Sequence, residues 1–254
     1  MLARLSTDRA TGWVLKGGAV LEFRLPSRAR STRDLDLAAR PESEPELDGA
    51  TVRDLLIDAL SIDEDGDKFL FRVSPPADLR ADTAGRGGWR FSVESLLAGK
   101  TFATVRVDVV ARGEEIALTE RLPLPNLLEF AGTPPREIEA VDRRQHFAEK
   151  AHALSRDYGD RPNTRVKDLV DLVLLIESGL AADAALAEVV RHVFAVRATH
   201  PVPDVLPEPP PTWADLYPEL AGGLTDSPPR IEAALDIVHA FWAAAFAGAE
   251  VNSD

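Results

Sequence analysis

Cysteine is absent from the 254 residues, which excludes disulfides, thiol nucleophiles and Cys-ligated zinc. No apolar run approaches the length of a membrane span; Phe241 to Gly248 is apolar but short and reads as a core helix. A signal-peptide pattern is also missing, so a cytoplasmic location is expected. Two motifs of phosphate and acyl chemistry are lacking. Gly99-Lys100-Thr101 resembles the end of a P-loop, but the first glycine would fall on Glu94, and there is no G-x-S-x-G. The five histidines (146, 152, 192, 200 and 239) show no metal-ligand spacing, and there is no internal repeat. Lysine is scarce, with five residues against twenty-four Arg, and three of the five (Lys16, Lys150, Lys167) lie in the stretches singled out below.

What remains is an ordinary globular composition, 45% hydrophobic and 28% charged, long enough for one large domain or two modest ones. The net charge of −13 argues against a body coated in basic surface, yet it is unevenly spread. Residues 1–40 carry eight Lys/Arg against four Asp/Glu, and residues 143–168 carry seven against four. If these stretches meet, they form a local positive site suited to phosphates.

The chain is organised around Trp13 to Arg40. Val14-Leu15 reads as the end of a strand, Lys16-Gly17-Gly18 as a tight turn, and Ala19 to Leu25 as a short helix with Ala19, Val20, Phe23 and Leu25 inward. Asp34-Leu35-Asp36-Leu37 alternates at period two, putting both aspartates on one strand face and both leucines on the other. Two carboxylates on one face repel unless a cation sits between them, and Mg²⁺ is the obvious candidate. A glycine turn feeding a helix, followed by this pair, suits a nucleoside triphosphate. The glycines admit the phosphates, the helix N-terminus favours their charge, and the aspartates hold the metal.

Downstream, Pro41 to Asp48 is an acidic loop, Val52 to Leu60 a helix, and Lys68 to Val73 a strand. Ala81 to Gly88 is a connection. Trp89–Leu97 and Phe102–Val110 read as strands turning near Gly99, and Glu115–Leu122 as another, giving a mixed sheet with a helix or two against it. Asp108 stands alone in a β-branched run, either an exposed strand-end residue or a third metal acid beside Asp34 and Asp36; the second reading is favoured because that pair exists. Leu124–Phe130 and Ile138–Val141 bridge into a region that is mostly helical from Asp142 onward.

There, Phe147, Ala151, Leu154 and Tyr158 form an apolar stripe with Lys150 on its flank. Arg156 falls on the opposite side, so either the helix ends early or Arg156 serves another purpose. Arg165 to Ile176 is apolar nearly all round except for Lys167, Asp168 and Asp171, so it is expected to be buried, with its aspartates paired to Lys150, Lys167 or an arginine. Ala181–Val196 and Ile231–Phe246 are further helices. His200 to Pro229 holds nine of the nineteen prolines, which rules out one continuous helix but leaves Trp213, Leu216 and Tyr217 needing burial. Val251 to Asp254 is expected to fray.

KGG at 16–18 with R-x-T-x-D-L-D at 30–36, A-E-K-x-x-A-L-x-R at 148–156 and K-D-L-x-D-L at 167–172 together resemble the AbiEii/AbiGii-type nucleotidyltransferase toxins, which include the mycobacterial MenT toxins. The resemblance covers residues 16–172 and leaves out the proline-rich region and the last helix. It implies an α/β (α+β), polymerase-β-like lobe with a mixed sheet over 1–125. A mainly helical lobe follows over 126–254, with a proline-rich segment at 200–230 and the active site in the cleft. Lys16, Gly17, Gly18, Thr32 and Arg33 would then bind nucleotide. Asp34 and Asp36 would bind Mg²⁺ or Mn²⁺ with Asp108 as the third acid, Lys150 would contact phosphate, and Asp168 or Asp171 would complete the site. The implied activity is transfer of nucleotides, pyrimidines by preference, from an NTP to the 3′ end of tRNA, blocking aminoacylation and translation. A cognate AbiEi/MenA-like antitoxin would restrain it. Thr32, two residues before Asp34, stands where some such toxins carry a phosphorylated hydroxyl. Two rival readings are a nucleotidyltransferase acting on a small hydroxyl compound and a non-catalytic partner-binding module; intact Asp34, Asp36 and Lys150 argue against the latter.

Overall fold

Aspartates and leucines alternate into a strand because the leucines have a core to enter. The computed structural model describes residues 1–8, 10–40, 47–64, 66–79, 87–111, 113–126 and 134–247. Residues 41–46 of the loop expected over Pro41–Asp48, 81–86 of the connection Ala81–Gly88, 127–130 of the stretch Leu124–Phe130 and the frayed end 251–254 lie outside them. The chain divides into two compact units: residues 1–24, 31–113 and 119–141 form the first, and residues 25–30, 114–118 and 142–254 the second.

The first unit is built on a mixed sheet. Its strands are β1 (Val14–Lys16), β2 (Asp34–Ala38), β3 (Leu70–Val73), β4 (Ala77–Leu79), β5 (Gly88–Leu97), β6 (Lys100–Val110), β7 (Thr119–Pro123) and β8 (Glu137–Val141). The order is β3-β5-β6-β2-β1-β8-β7, with β4 also paired to β5. β2–β6 and β1–β8 run parallel and the other pairs antiparallel. Leu15, Leu37, Phe91, Val107, Val109 and Ile138 are buried in its core. Helix α1 (Leu2–Thr7) lies against α3 (Gly49–Ser61) and β8, while α2 (Gly17–Arg24) packs on β1, β2 and β7. Arg4 locks α1 in place by donating to the carbonyls of Leu60 (2.6 Å) and Phe69 (3.0 Å) and pairing with Asp63 and Asp67. Asp48 caps α3, accepting from the Thr51 amide at 2.7 Å.

Helix α2 begins at Gly17, not Ala19, and stops at Arg24 short of Leu25. Its buried residues are Gly18, Ala19, Val20 and Leu21, so Leu21 rather than Phe23 fills the core. The strand expected from Glu115 starts only at Thr119, after a 3-10 turn at Gly113–Glu115. Glu115 is fully buried against Arg197 (2.6 Å) of the second unit's helix α6 (Ala184–Arg197), and both groups belong to that unit. The first unit runs past residue 125 because the bridging segment 137–141 is β8, paired in parallel with β1.

The second unit also holds α4 (Arg143–Ser155), α5 (Val166–Glu177), α7 (Trp213–Ala221) and α8 (Ile231–Ala247). Helix α4 packs on α5 and α6, and α5 on α7 and α8. The apolar α5 is buried from Val166 to Leu175 with Lys167 as its exposed exception. Helix α4 stops at Ser155 and Arg156 is extended (ψ 138°), so the helix does end early, leaving Tyr158 beyond it. The proline-rich segment is ordered: Trp213 and Tyr217 are buried, whereas Leu216 is 45% exposed.

Candidate active site

The candidate residues form two groups, one in each unit. In the first, β1 ends at Lys16 and the chain turns through Gly17 at φ +65° into α2. A Cβ on Gly17 would stand 2.0 Å from Oδ2 of Asp36. Only glycine admits that approach, so the Asp36 carboxylate lies directly against the first residue of α2, where helix amides favour negative charge.

Register sets the rest. Lys16 is opposite Asp36, Asp36 opposite Asp108, and Asp108 opposite Arg90, a row crossing β1, β2, β6 and β5. Residues paired in register share a sheet face, so Asp34, Asp36 and Asp108 stand on one face and Leu37, Val107 and Val109 on the buried one. Arg90 grips Asp108 with two bonds, Nε to Oδ1 at 2.7 Å and Nη2 to Oδ2 at 2.6 Å. Arg106, the register partner of Asp34, brings Nη1 to 3.3 Å from Asp34 Oδ1. Thr32 donates its hydroxyl to the Asp34 carbonyl (3.3 Å), and its amide donates to Glu22 (3.2 Å). Arg33 is exposed.

Three carboxylates on one face offer the hard oxygen donors that Mg²⁺ or Mn²⁺ takes. Among the described residues no group of three or more acids, histidines or cysteines is gathered closely enough to hold an ion. Both Asp108 oxygens are engaged by Arg90, and Asp34 lies beside Arg106. By the chemistry of its donors this face suits a hard divalent cation, which Asp34 and Asp36 would hold, while Asp108 is engaged by Arg90.

In the second unit, Lys150 on α4 bridges both α5 acids, 2.7 Å from Asp168 Oδ1 and 2.8 Å from Asp171 Oδ2. Arg30 closes on Asp171 with two bonds, at 3.0 and 2.9 Å. Asp171 is fully buried. Burial alone would push its carboxyl up, but the charges of Lys150 and Arg30 hold it below its ordinary range. Burial likewise opposes the Lys150 charge, and the two aspartates overcome it, holding the ammonium above its ordinary range. The two acids are therefore unequal. Asp171 takes two bonds from Arg30 and one from Lys150, whereas Asp168 Oδ2 makes no hydrogen bond and has Arg165 at 3.7 Å. Lys150 spends two of its three N–H donors on carboxylates. Lys167, a candidate partner from sequence, points into solvent instead.

Helix α4 also carries a buried polar chain. Arg197 Nη1 lies 3.2 Å from His152 Nδ1, His152 Nε2 2.8 Å from Thr199 Oγ1, Thr199 Oγ1 2.9 Å from His200 Nδ1, and His200 Nε2 2.8 Å from Ser155 Oγ. The bonds run in one direction when both imidazoles are neutral. Burial, with the Arg197 charge next, pushes His152 down to about 2, and burial, with the charges of Arg156 and then Arg197, lowers His200 as well.

Arg30 and Arg90 were not singled out from sequence. Arg30 stands inside the R-x-T-x-D-L-D block, which was the available signal; Arg90 is one charge in an alternating strand and carries none. Much of the basic charge of these stretches is committed: Arg4, Arg24, Arg28, Arg30 and Arg40 of the first and Arg144, Lys150 and Arg165 of the second are in ion pairs.

The family model for the nucleotidyl transferase AbiEii toxin of type IV toxin–antitoxin systems matches residues 1–243, so the match extends through the proline-rich segment and most of α8. Among solved structures, MenT4, a nucleotidyltransferase toxin from Mycobacterium tuberculosis H37Rv, is similar at a TM-score of 0.52 and 20% identity, over 96% of this chain and 80% of that one. At that identity the likeness is one of fold. No curated protein matches the chain.

Proposed function

The chain belongs to the AbiEii nucleotidyltransferase toxin family, and from that premise we propose that it moves nucleotides, pyrimidines by preference, from an NTP to the 3′ end of tRNA in the cytoplasm. An extended 3′ end cannot be aminoacylated, so translation stops until an AbiEi/MenA-like antitoxin intervenes. The observation that carries the reading is the face shared by Asp34, Asp36 and Asp108, with Asp36 seated on Gly17 at the start of α2.

Each residue has a defined task. Gly17 and Gly18 let the triphosphate approach the backbone, with Lys16 directly before them and Thr32 and Arg33 leading into β2 as further nucleotide contacts. Asp34 and Asp36 are the principal metal ligands. A divalent cation, when bound, supplies Lewis-acid polarisation of the α-phosphate. In the helical unit, Lys150 offers its remaining N–H to a phosphate oxygen, and Asp168, with its uncommitted oxygen, works beside it while Asp171 holds Lys150 and Arg30 in place. In-line displacement by a 3′ hydroxyl, with pyrophosphate leaving, asks mainly for this positioning and charge neutralisation.

The test is incubation with Mg²⁺, each labelled NTP in turn and total tRNA, with Asp36→Ala alongside. Label on tRNA 3′ ends from wild type alone is expected. Label on a small hydroxyl compound instead of RNA would replace the acceptor, and an Asp36→Ala variant that stayed fully toxic in cells would overturn the enzymatic reading. A phosphate on Thr32 would add roughly two negative charges beside the carboxylates, so Thr32→Glu should cut transfer by about tenfold or more, equivalent to about 1.4 kcal/mol or more in the barrier. Full activity in that variant would remove Thr32 as a regulatory phosphosite.

A further inference from the structure

Asp108 faces two kinds of partner. Its register neighbour on one side is Asp36, a like charge on the same sheet face, and on the other it is Arg90. Carboxylates directly opposite one another destabilise a sheet unless a cation compensates. On the Asp108 side the Arg90 guanidinium is such a cation, as Lys16 stands opposite Asp36 on the other. The guanidinium engages both Asp108 oxygens, at 2.7 and 2.6 Å. Its hold is reinforced first by that bond and then by the charges of Asp34 and Asp36 acting on the same group. It is the more open of the two: the Arg90 side chain is 43% exposed against 14% for Asp108. A guanidinium bonded to one carboxylate, feeling the charges of two more and partly open to solvent, is placed to leave when another cation arrives.

We propose that Arg90 occupies the place of a divalent cation at Asp108, and that Asp108 exchanges Arg90 for the cation once one is bound at Asp34 and Asp36. Arg90 is then a positioning residue that sets the metal affinity of the carboxylate face. The inference rests on the metal-dependent reading above. A plain cross-strand ion pair would have the same two bonds but no response to metal.

The experiment titrates Mn²⁺ into the full chain and follows free Mn²⁺ by its electron paramagnetic resonance signal. Arg90→Ala removes the competitor and should tighten Mn²⁺ binding roughly tenfold or more, the scale of partner effects around metal ligands. Asp108→Asn should bind more weakly than wild type. Arg90→Lys, which keeps the charge but loses the two-pronged grip, should fall between wild type and alanine; it also carries the test if the alanine variant fails to fold, as circular dichroism would reveal. In ¹⁵N spectra of wild type, the Arg90 Nε–H signal, identified by its loss in Arg90→Lys, should move as Mg²⁺ saturates. Unchanged or weaker binding in Arg90→Ala, an unmoved Nε–H signal, or no binding by any variant overturns the exchange. The transfer assay separates the two ideas. Labelled tRNA with unaltered Mn²⁺ affinity refutes the exchange alone, and tighter binding without label refutes the tRNA reading alone.

Discussion

At Gly17 two constraints coincide, a φ of +65° and a carboxylate oxygen 2.0 Å from where a Cβ would stand. Gly17→Ala should therefore displace Asp36, cut transfer by at least about 100-fold, and cost roughly 1–3 kcal/mol in urea denaturation. The α5 acids should separate in the same pair of measurements. Asp171→Asn leaves Lys150 and Arg30 buried without their shared counter-charge and should lower stability by roughly 3–5 kcal/mol. Asp168→Asn gives up one charged hydrogen bond, roughly 1.5–3 kcal/mol, and should instead lose activity beyond any change in folded fraction. Equal stability losses would undo this division of roles. His152 supplies a pH signature. Its folded value of about 2 lies below the unfolded value near 6.5, so only the unfolded chain takes the proton between them. Stability should fall as pH drops below about 6.5, by about 1.4 kcal/mol per pH unit for this imidazole at full slope. Urea midpoints at pH 7, 6 and 5 read this directly, in a window above the carboxylates; a flat profile would contradict the neutral chain.

Among the elements, those with a local cause were legible. The Asp34–Leu37 alternation could only be a strand with acids on one face, and β2 is that strand. The β5–β6 hairpin turns through Ala98 (φ 49°) and Gly99 (φ 77°), two left-handed residues that make the tight turn near Gly99. Alanine is a poor occupant of that conformation, so Ala98→Asn should raise stability by about 0.5–1 kcal/mol in thermal unfolding, leaving transfer unchanged. Elements with distant causes were not legible. Glu137–Val141 has the alternation of a strand, but its partner is β1, and no local feature announces a parallel pairing so far along the chain. The same holds for Arg30 and Arg90, whose roles come from Asp171 and Asp108. The missing strand at 115–118 reflects the buried pairing of Glu115 with Arg197, a partner from α6.

For the whole molecule, composition excluded more than it identified. No helix among the described residues is long and apolar enough to cross a membrane. The mixed sheet and the helical region were both readable, but their interleaving was not, because segments 25–30 and 114–118 join the helical unit through contacts made far along the chain. That interleaving has a consequence in time. During synthesis β1 emerges about 125 residues before β8, and at ~5–20 residues per second the wait is roughly 6–25 s. Arg30 waits longer still, 141 positions, for Asp171. A nascent chain thus displays the Asp34/Asp36 pair long before its sheet is closed or its lysine is anchored.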